Sequence, residues 1–137
     1  MVEVKRMQVD LYHLMREALK EAEKGLAGSE VPVGAVIALA DGRIIAKAHN
    51  QPISLNDPTA HAEVLVIRRA GQVLRNYRLN NTILAVTMEP CPMCMGAAIN
   101  ARISRVVFGA TDPKWGAAGS LYNLASVSYT HLTLPTN

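Results

Sequence analysis

Cys91 and Cys94 are the only cysteines in this chain, and His61-Ala62-Glu63 lies thirty residues before them. Those two short motifs constrain the fold more than anything else in the sequence. Pro90-Cys91-Pro92-Met93-Cys94 reads as a helix start, because proline is preorganised for the first helical position. Cysteines three apart on that helix face one direction, and the positive end of a helix favours thiolates. Taken alone the pair reads as metal ligands, as buried structural thiols or as a redox pair, and His61 alone reads equally as a capping or surface histidine. Residues two apart on a regular helix point to roughly opposite sides, so His61 and Glu63 share a site only in a first turn, where side chains reach past the helix end. Taken together, the motifs ask for two helix N-termini converging from two directions on one metal. One imidazole and two thiolates suit zinc, with the fourth position open to water, and two cysteines exclude a four-cysteine structural site. Glu63 then stands ready to handle the protons of that water.

The rest of the composition fits one compact domain. The chain has 137 residues, half of them hydrophobic and 18% charged, enough apolar surface to bury a core and too little charge for disorder. Aromatics are 4%, so the core is aliphatic. No run reaches the roughly eighteen apolar residues of a membrane span, and the N-terminus lacks a secretory signal pattern. A C-x-x-C pair without such a signal points to a reducing cytoplasm. The formal charge of +3 permits a polyanionic partner without demanding one. Between Arg68 and Lys114 the basic residues are Arg68, Arg69, Arg75, Arg78, Arg102, Arg105 and Lys114, against only Glu89 and Asp112. That bias fits a nucleic-acid surface and fits chance equally.

Periodicity predicts an amphipathic helix over Asp10 to Lys24, ending near Gly25. A β-hairpin follows, Val31 to Leu39 and Arg43 to His49, turning at Ala40-Asp41-Gly42. Asn50 to Pro58 reads as a polar loop, and Thr59 to Arg75 as a second helix with Asp57 or Thr59 as N-cap. Thr82 to Thr87, a helix from about Pro92 and Ile103 to Ala110 form a strand–helix–strand unit, expected as a parallel crossover. A loop carrying Gly116 and Gly119 runs from Asp112 to Ser120, with a last helix expected near Ser120. The pattern is that of one α/β domain.

H-x-E followed by P-C-x-x-C resembles the signature of zinc nucleobase deaminases. The surroundings are similar to one family of them, the bacterial tRNA-specific adenosine deaminases. The shared segments are Glu30-Val31-Pro32-Val33-Gly34-Ala35-Val36, His49-Asn50, Asp57-Pro58-Thr59-Ala60-His61-Ala62-Glu63, Asn76-Tyr77-Arg78-Leu79 and Glu89 to Ala97. Arg105 to Ala110, Asp112-Pro113-Lys114 and Gly116 to Leu121 complete the set. The resemblance runs to about Leu124 and implies a three-layer cytidine deaminase-like α/β fold, a mixed central β-sheet with helices on both faces. It implies hydrolytic conversion of the wobble adenosine to inosine in an arginine tRNA anticodon loop, in a cytoplasmic homodimer. By matching position, His61, Cys91 and Cys94 hold one Zn²⁺ per chain and Glu63 shuttles protons. Asn50 would contact the flipped-out base, Val33 and Ala62 would line its pocket, and Asp112 and Lys114 would lie along the anticodon path. A turn role for Asn50 and a capping role for Asp112 are the plain alternatives.

Two departures stand out. Ala85 replaces an aromatic residue usual in the family. Residues 127–137 match nothing in it and are expected to be a frayed, disordered tail, similar to translated adaptor sequence joined to a truncated gene. The deaminase domain is therefore expected over 1–126. Its tRNA affinity is expected to be lower than with a family-like C-terminal helix. A free-base deaminase acting on guanine or cytosine is the nearest rival reading. A non-catalytic zinc-bearing RNA-binding subunit is the other, and the presence of Glu63 argues against it.

Overall fold

The structure, a computed structural model, describes residues 9–120, 124 and 128–132. The elements run α1 (Leu11–Ala27), β1 (Gly34–Leu39), β2 (Ile44–His49), α2 (Pro52–Leu55), α3 (Ala62–Leu74), β3 (Thr82–Met88), α4 (Pro92–Asn100), β4 (Arg105–Ala110) and β5 (Ser128–His131). The strands form one sheet in the order β2-β1-β3-β4-β5. β1 pairs antiparallel with β2 and β3, whereas β3–β4 and β4–β5 are parallel. The sheet is mixed, as expected, and β3–α4–β4 is the expected parallel crossover unit.

Side chains alternate across a strand, and the apolar residues of the middle strands are buried on both faces. Val36, Ala38, Ile83, Ala85 and Val107 pack with Leu14, Met15 and Ala18 of α1. Ala35, Ile37, Leu84, Val86, Val106 and Phe108 pack on the other face with Leu65, Val66, Met95 and Ala98 from α3 and α4. Three layers result. Each fully buried aliphatic side chain contributes about 1.5–3 kcal/mol, so α3 and α4 are held firmly against that face of the sheet.

Local chemistry sets the element ends. Asp10 caps α1 by accepting the His13 N–H at 3.1 Å. The helix passes the expected stop at Gly25, which is buried against His49, and ends at Gly28. Asp41 accepts the Arg43 N–H, and Gly42 takes φ +92° in the hairpin turn. β1 begins at Gly34 rather than Val31, and a side chain at position 34 would collide with the Ala18 carbonyl of α1.

Three expectations need correction. The loop after Asn50 contains the four-residue α2. Neither Asp57 nor Thr59 caps α3, because Asp57 takes the Thr59 N–H and hydroxyl at 2.8 and 2.7 Å and closes a local turn. The chain then stays extended, and His61 is the N-cap. Within the expected tail, Ser128–His131 is not irregular but pairs with β4 as an edge strand. Arg105 donates to Thr130 Oγ1 there, and the His131 ring stacks on Phe108 at 5.1 Å. Thr130, half-buried, and His131, exposed, suit the edge of the sheet. The last helix expected near Ser120 falls mainly outside the described residues. Among the described residues no helix is long and apolar enough to cross a membrane.

Candidate active site

Two helix N-termini meet at one end of the sheet. His61 is the N-cap of α3 and Cys91 the N-cap of α4, both with extended backbone, and neither side chain caps its own helix. Both side chains are thereby free to project past the helix ends. Cys91 Sγ lies 3.6 Å and Cys94 Sγ 3.4 Å from His61 Nδ1. The three ligand atoms lie within 4.8 Å of one another, the one such cluster found among the described residues. With Zn–N about 2.0–2.1 Å, Zn–S about 2.3 Å and tetrahedral angles, nitrogen and sulfur should stand about 3.5 Å apart. The residues present fit zinc.

The electrostatics favour the same end. A hydrogen bond from Cys94 outweighs partial burial and, with His61 nearby, lowers the Cys91 thiol to about 4. Cys94, the donor in that bond and deeply buried, is pushed upward. The His61–Cys91 hydrogen bond holds the His61 imidazolium above the usual histidine range.

Glu63 occupies the first turn of α3 and is 4% exposed. Burial pushes its carboxyl above the usual range. A cavity of about 510 Å³ opens over it, lined by His61, Cys91, Glu63, Asn50, Val33 and Asp112 among others. Asn50 is buried, and its Oδ1 accepts the Ala62 N–H at 3.0 Å. Asn50 thus both fixes the start of α3 and lines the cavity. Asp112 Oδ1 accepts the Lys114 and Trp115 N–H groups at 3.1 and 3.2 Å, the capping role.

Not every expected residue reaches the cavity. Ala62 is buried in the core, with its amide rather than its side chain engaged at the site. Lys114 is exposed and outside the cavity lining. Conversely, sequence reasoning missed Val31, Met88, Met93 and Trp115, which line the cavity. It also missed Glu89, whose buried carboxylate accepts N–H groups of Asp112, Ala118 and Ser120 and the Ser120 hydroxyl. Burial opposes the Glu89 charge, but these donors outweigh it and hold the carboxyl below the usual range. An isolated glutamate carries no local signal of this, although its place just before Pro90-Cys91 was visible.

A three-ligand soft-metal cluster, a buried carboxyl beside it and helices on both faces of a mixed sheet define a zinc-dependent deaminase of the cytidine deaminase-like class. Residues 8–110 match the family model of the cytidine and deoxycytidylate deaminase zinc-binding region. The tRNA-specific adenosine deaminase of Bacillus subtilis is 50% identical over 117 residues, 85% of this chain and 71% of that protein. That of Haemophilus influenzae is 48% identical over 80% of this chain and 64% of its own length. A solved tRNA:A34 deaminase superposes with TM-score 0.82 at 43% identity, covering 88% of this chain and 98% of its own. Guanine deaminase from Bacillus subtilis superposes with TM-score 0.71 at 36% identity, covering 90% and 85%. Within its class, this chain belongs to the tRNA-specific adenosine deaminases.

Proposed function

We propose that this chain converts the wobble adenosine of an arginine tRNA to inosine, releasing ammonia, as a cytoplasmic homodimer with one zinc per chain. The observation that carries the chemistry is the convergence of His61 Nδ1 and two cysteine sulfurs beside a buried glutamate at the floor of a cavity. Family membership carries the substrate.

His61, Cys91 and Cys94 would hold the zinc. When bound, zinc lowers the pKa of a coordinated water from about 15.7 to near 7, so that it attacks at neutral pH. Glu63 takes a proton from the attacking water and delivers it to N1 of the adenine as oxygen bonds to C6. The same carboxyl, ionised again, takes the remaining proton from the C6 hydroxyl and passes it to the exocyclic amine; as the C6–N6 bond breaks the C6 carbonyl forms and ammonia departs. The Asn50 amide nitrogen donates to an acceptor on the purine edge, and Val33 packs beside the ring. Ala62 supports this geometry through its amide. Asp112 shapes the loop over the anticodon path, and Lys114 reaches from that loop toward a phosphate. An anticodon loop is already single-stranded, so extruding its base costs only a few kcal/mol.

The likeness to guanine deaminase favours free guanine as a second reading. Incubation with an arginine anticodon stem-loop bearing adenosine at the wobble position, beside free guanine and cytosine, decides between them. Inosine in the stem-loop without turnover of free bases is expected. Ammonia from guanine with no inosine would replace the tRNA reading.

A further inference from the structure

Trp115 is the single tryptophan of the chain, and it stands 55% exposed on the wall of the catalytic cavity. Neither the core nor the deamination chemistry uses its ring. Asn50 and Glu63 are buried at the floor of the cavity, so a residue this open to water belongs to the mouth. Val31, Met88 and Met93 are exposed apolar residues lining the same cavity.

The loop bearing Trp115 is tied down on both sides. The Trp115 N–H donates to Asp112 Oδ1, the Gly116 N–H to the Asp112 carbonyl at 2.7 Å, and the Ala117 N–H to the Pro90 carbonyl at 2.8 Å. Beneath the loop, the Glu89 carboxylate collects the N–H groups of Asp112, Ala118 and Ser120. Gly116 leaves no room for a side chain against the Asp112 carbonyl and the Glu89 carboxylate. The indole is thus an exposed aromatic on a preorganised backbone, which loses little freedom on binding.

Proteins that read single-stranded RNA stack splayed bases on such aromatic faces. Turning one base into the catalytic pocket deprives its neighbours of a stacking partner. We propose that Trp115 is a stacking platform for the nucleobase adjoining the deaminated adenosine. This inference rests on the tRNA reading above.

The test compares wild type, Trp115→Ala and Trp115→Phe on an adenosine-bearing anticodon stem-loop, and on stem-loops abasic at the nucleotide before or after the target. Base stacking of the usual strength predicts that Trp115→Ala raises KM about tenfold with kcat nearly unchanged, and that Trp115→Phe restores most of it. One abasic substrate should impose a similar KM penalty on wild type and no further penalty on Trp115→Ala. In a Glu63→Ala background, where substrate is not consumed, the lone tryptophan's fluorescence should be quenched by the intact stem-loop and much less by that abasic one. Unchanged KM for Trp115→Ala, or equal added penalties on both abasic substrates, would overturn the platform while leaving inosine formation intact. If wild type makes no inosine at all, the tRNA reading fails and the platform fails with it.

Discussion

Glu63 is buried beside thiol and imidazole groups that a metal would claim, and its carboxyl is costly to ionise there. In the proposed mechanism it carries protons, and that role should be separable from metal binding, since Glu63 is not among the clustered ligand atoms. Glu63→Gln keeps the shape and removes the acid–base function. We expect one zinc per chain by elemental analysis and a kcat lower by roughly 10²- to 10⁴-fold. Near wild-type turnover would remove Glu63 from the mechanism. His61, Glu63, Cys91 and Cys94 were legible in the sequence because their chemistry is tied to short fixed spacings. Trp115, Met88 and Met93 were not, because an apolar residue declares itself functional only when the fold leaves it uncovered beside a site. Asn50 was legible in part. Its capture of the Ala62 amide, across twelve residues, required the three-dimensional path of the loop.

At the scale of elements, the site depends on loops pinned by buried carboxylates. Glu30 accepts the Ile53 and Ser54 N–H groups at 3.1 and 2.8 Å and so holds α2 beyond β2. Burial opposes its charge, but those hydrogen bonds prevail and its carboxyl lies below its ordinary value of 4.5. A carboxyl lowered in the folded state adds stability above its unfolded pKa, and that stability is lost as pH falls through the folded value. Glu30→Gln should therefore be less stable than wild type near pH 7. The gap should close as pH falls below that ordinary value, in urea titrations run at neutral and at acid pH. A gap independent of pH would mean that packing, not charge, is what Glu30 supplies. A second prediction concerns Gly34, where α1 rests on β1. A methyl group there meets the Ala18 carbonyl, so Gly34→Ala should cost about 1–3 kcal/mol of unfolding free energy. The paired helices and central strands were legible from periodicity, since burial on a sheet or helix repeats every two or 3.6 residues. The start of α3 was misplaced because Asp57 and Thr59 have the side chains of an N-cap yet bond each other. β5 escaped notice because a four-residue edge strand is too short to show a period of two.

For the whole molecule, the question is which of the seven basic residues between Arg68 and Lys114 are free to meet RNA. The Arg69 guanidinium donates to the Lys47 carbonyl at 2.5 Å, and Arg105 is engaged with Thr130. Those two guanidinium groups are tied to the fold by neutral acceptors, which fixes their position and leaves their charge in place. Arg68 and Arg75 line a shallow surface hollow with Tyr77, formed around the end of α3 and distinct from the catalytic cavity. Lys114, by contrast, precedes Trp115 on the loop at the cavity mouth and is exposed. If Lys114 neutralises one phosphate of a single-stranded loop, its removal should lower the salt dependence of binding by one contact. Stem-loop affinity measured from low to moderate salt should show, for Lys114→Gln, a log–log slope shallower by about 0.7. Arg75→Gln, in the separate hollow, should leave the slope unchanged. Because the affinities converge as salt rises, the loss from Lys114→Gln should be greatest at low ionic strength. A slope altered by Arg75 and not by Lys114 would move the RNA path from the cavity mouth to the surface around the end of α3.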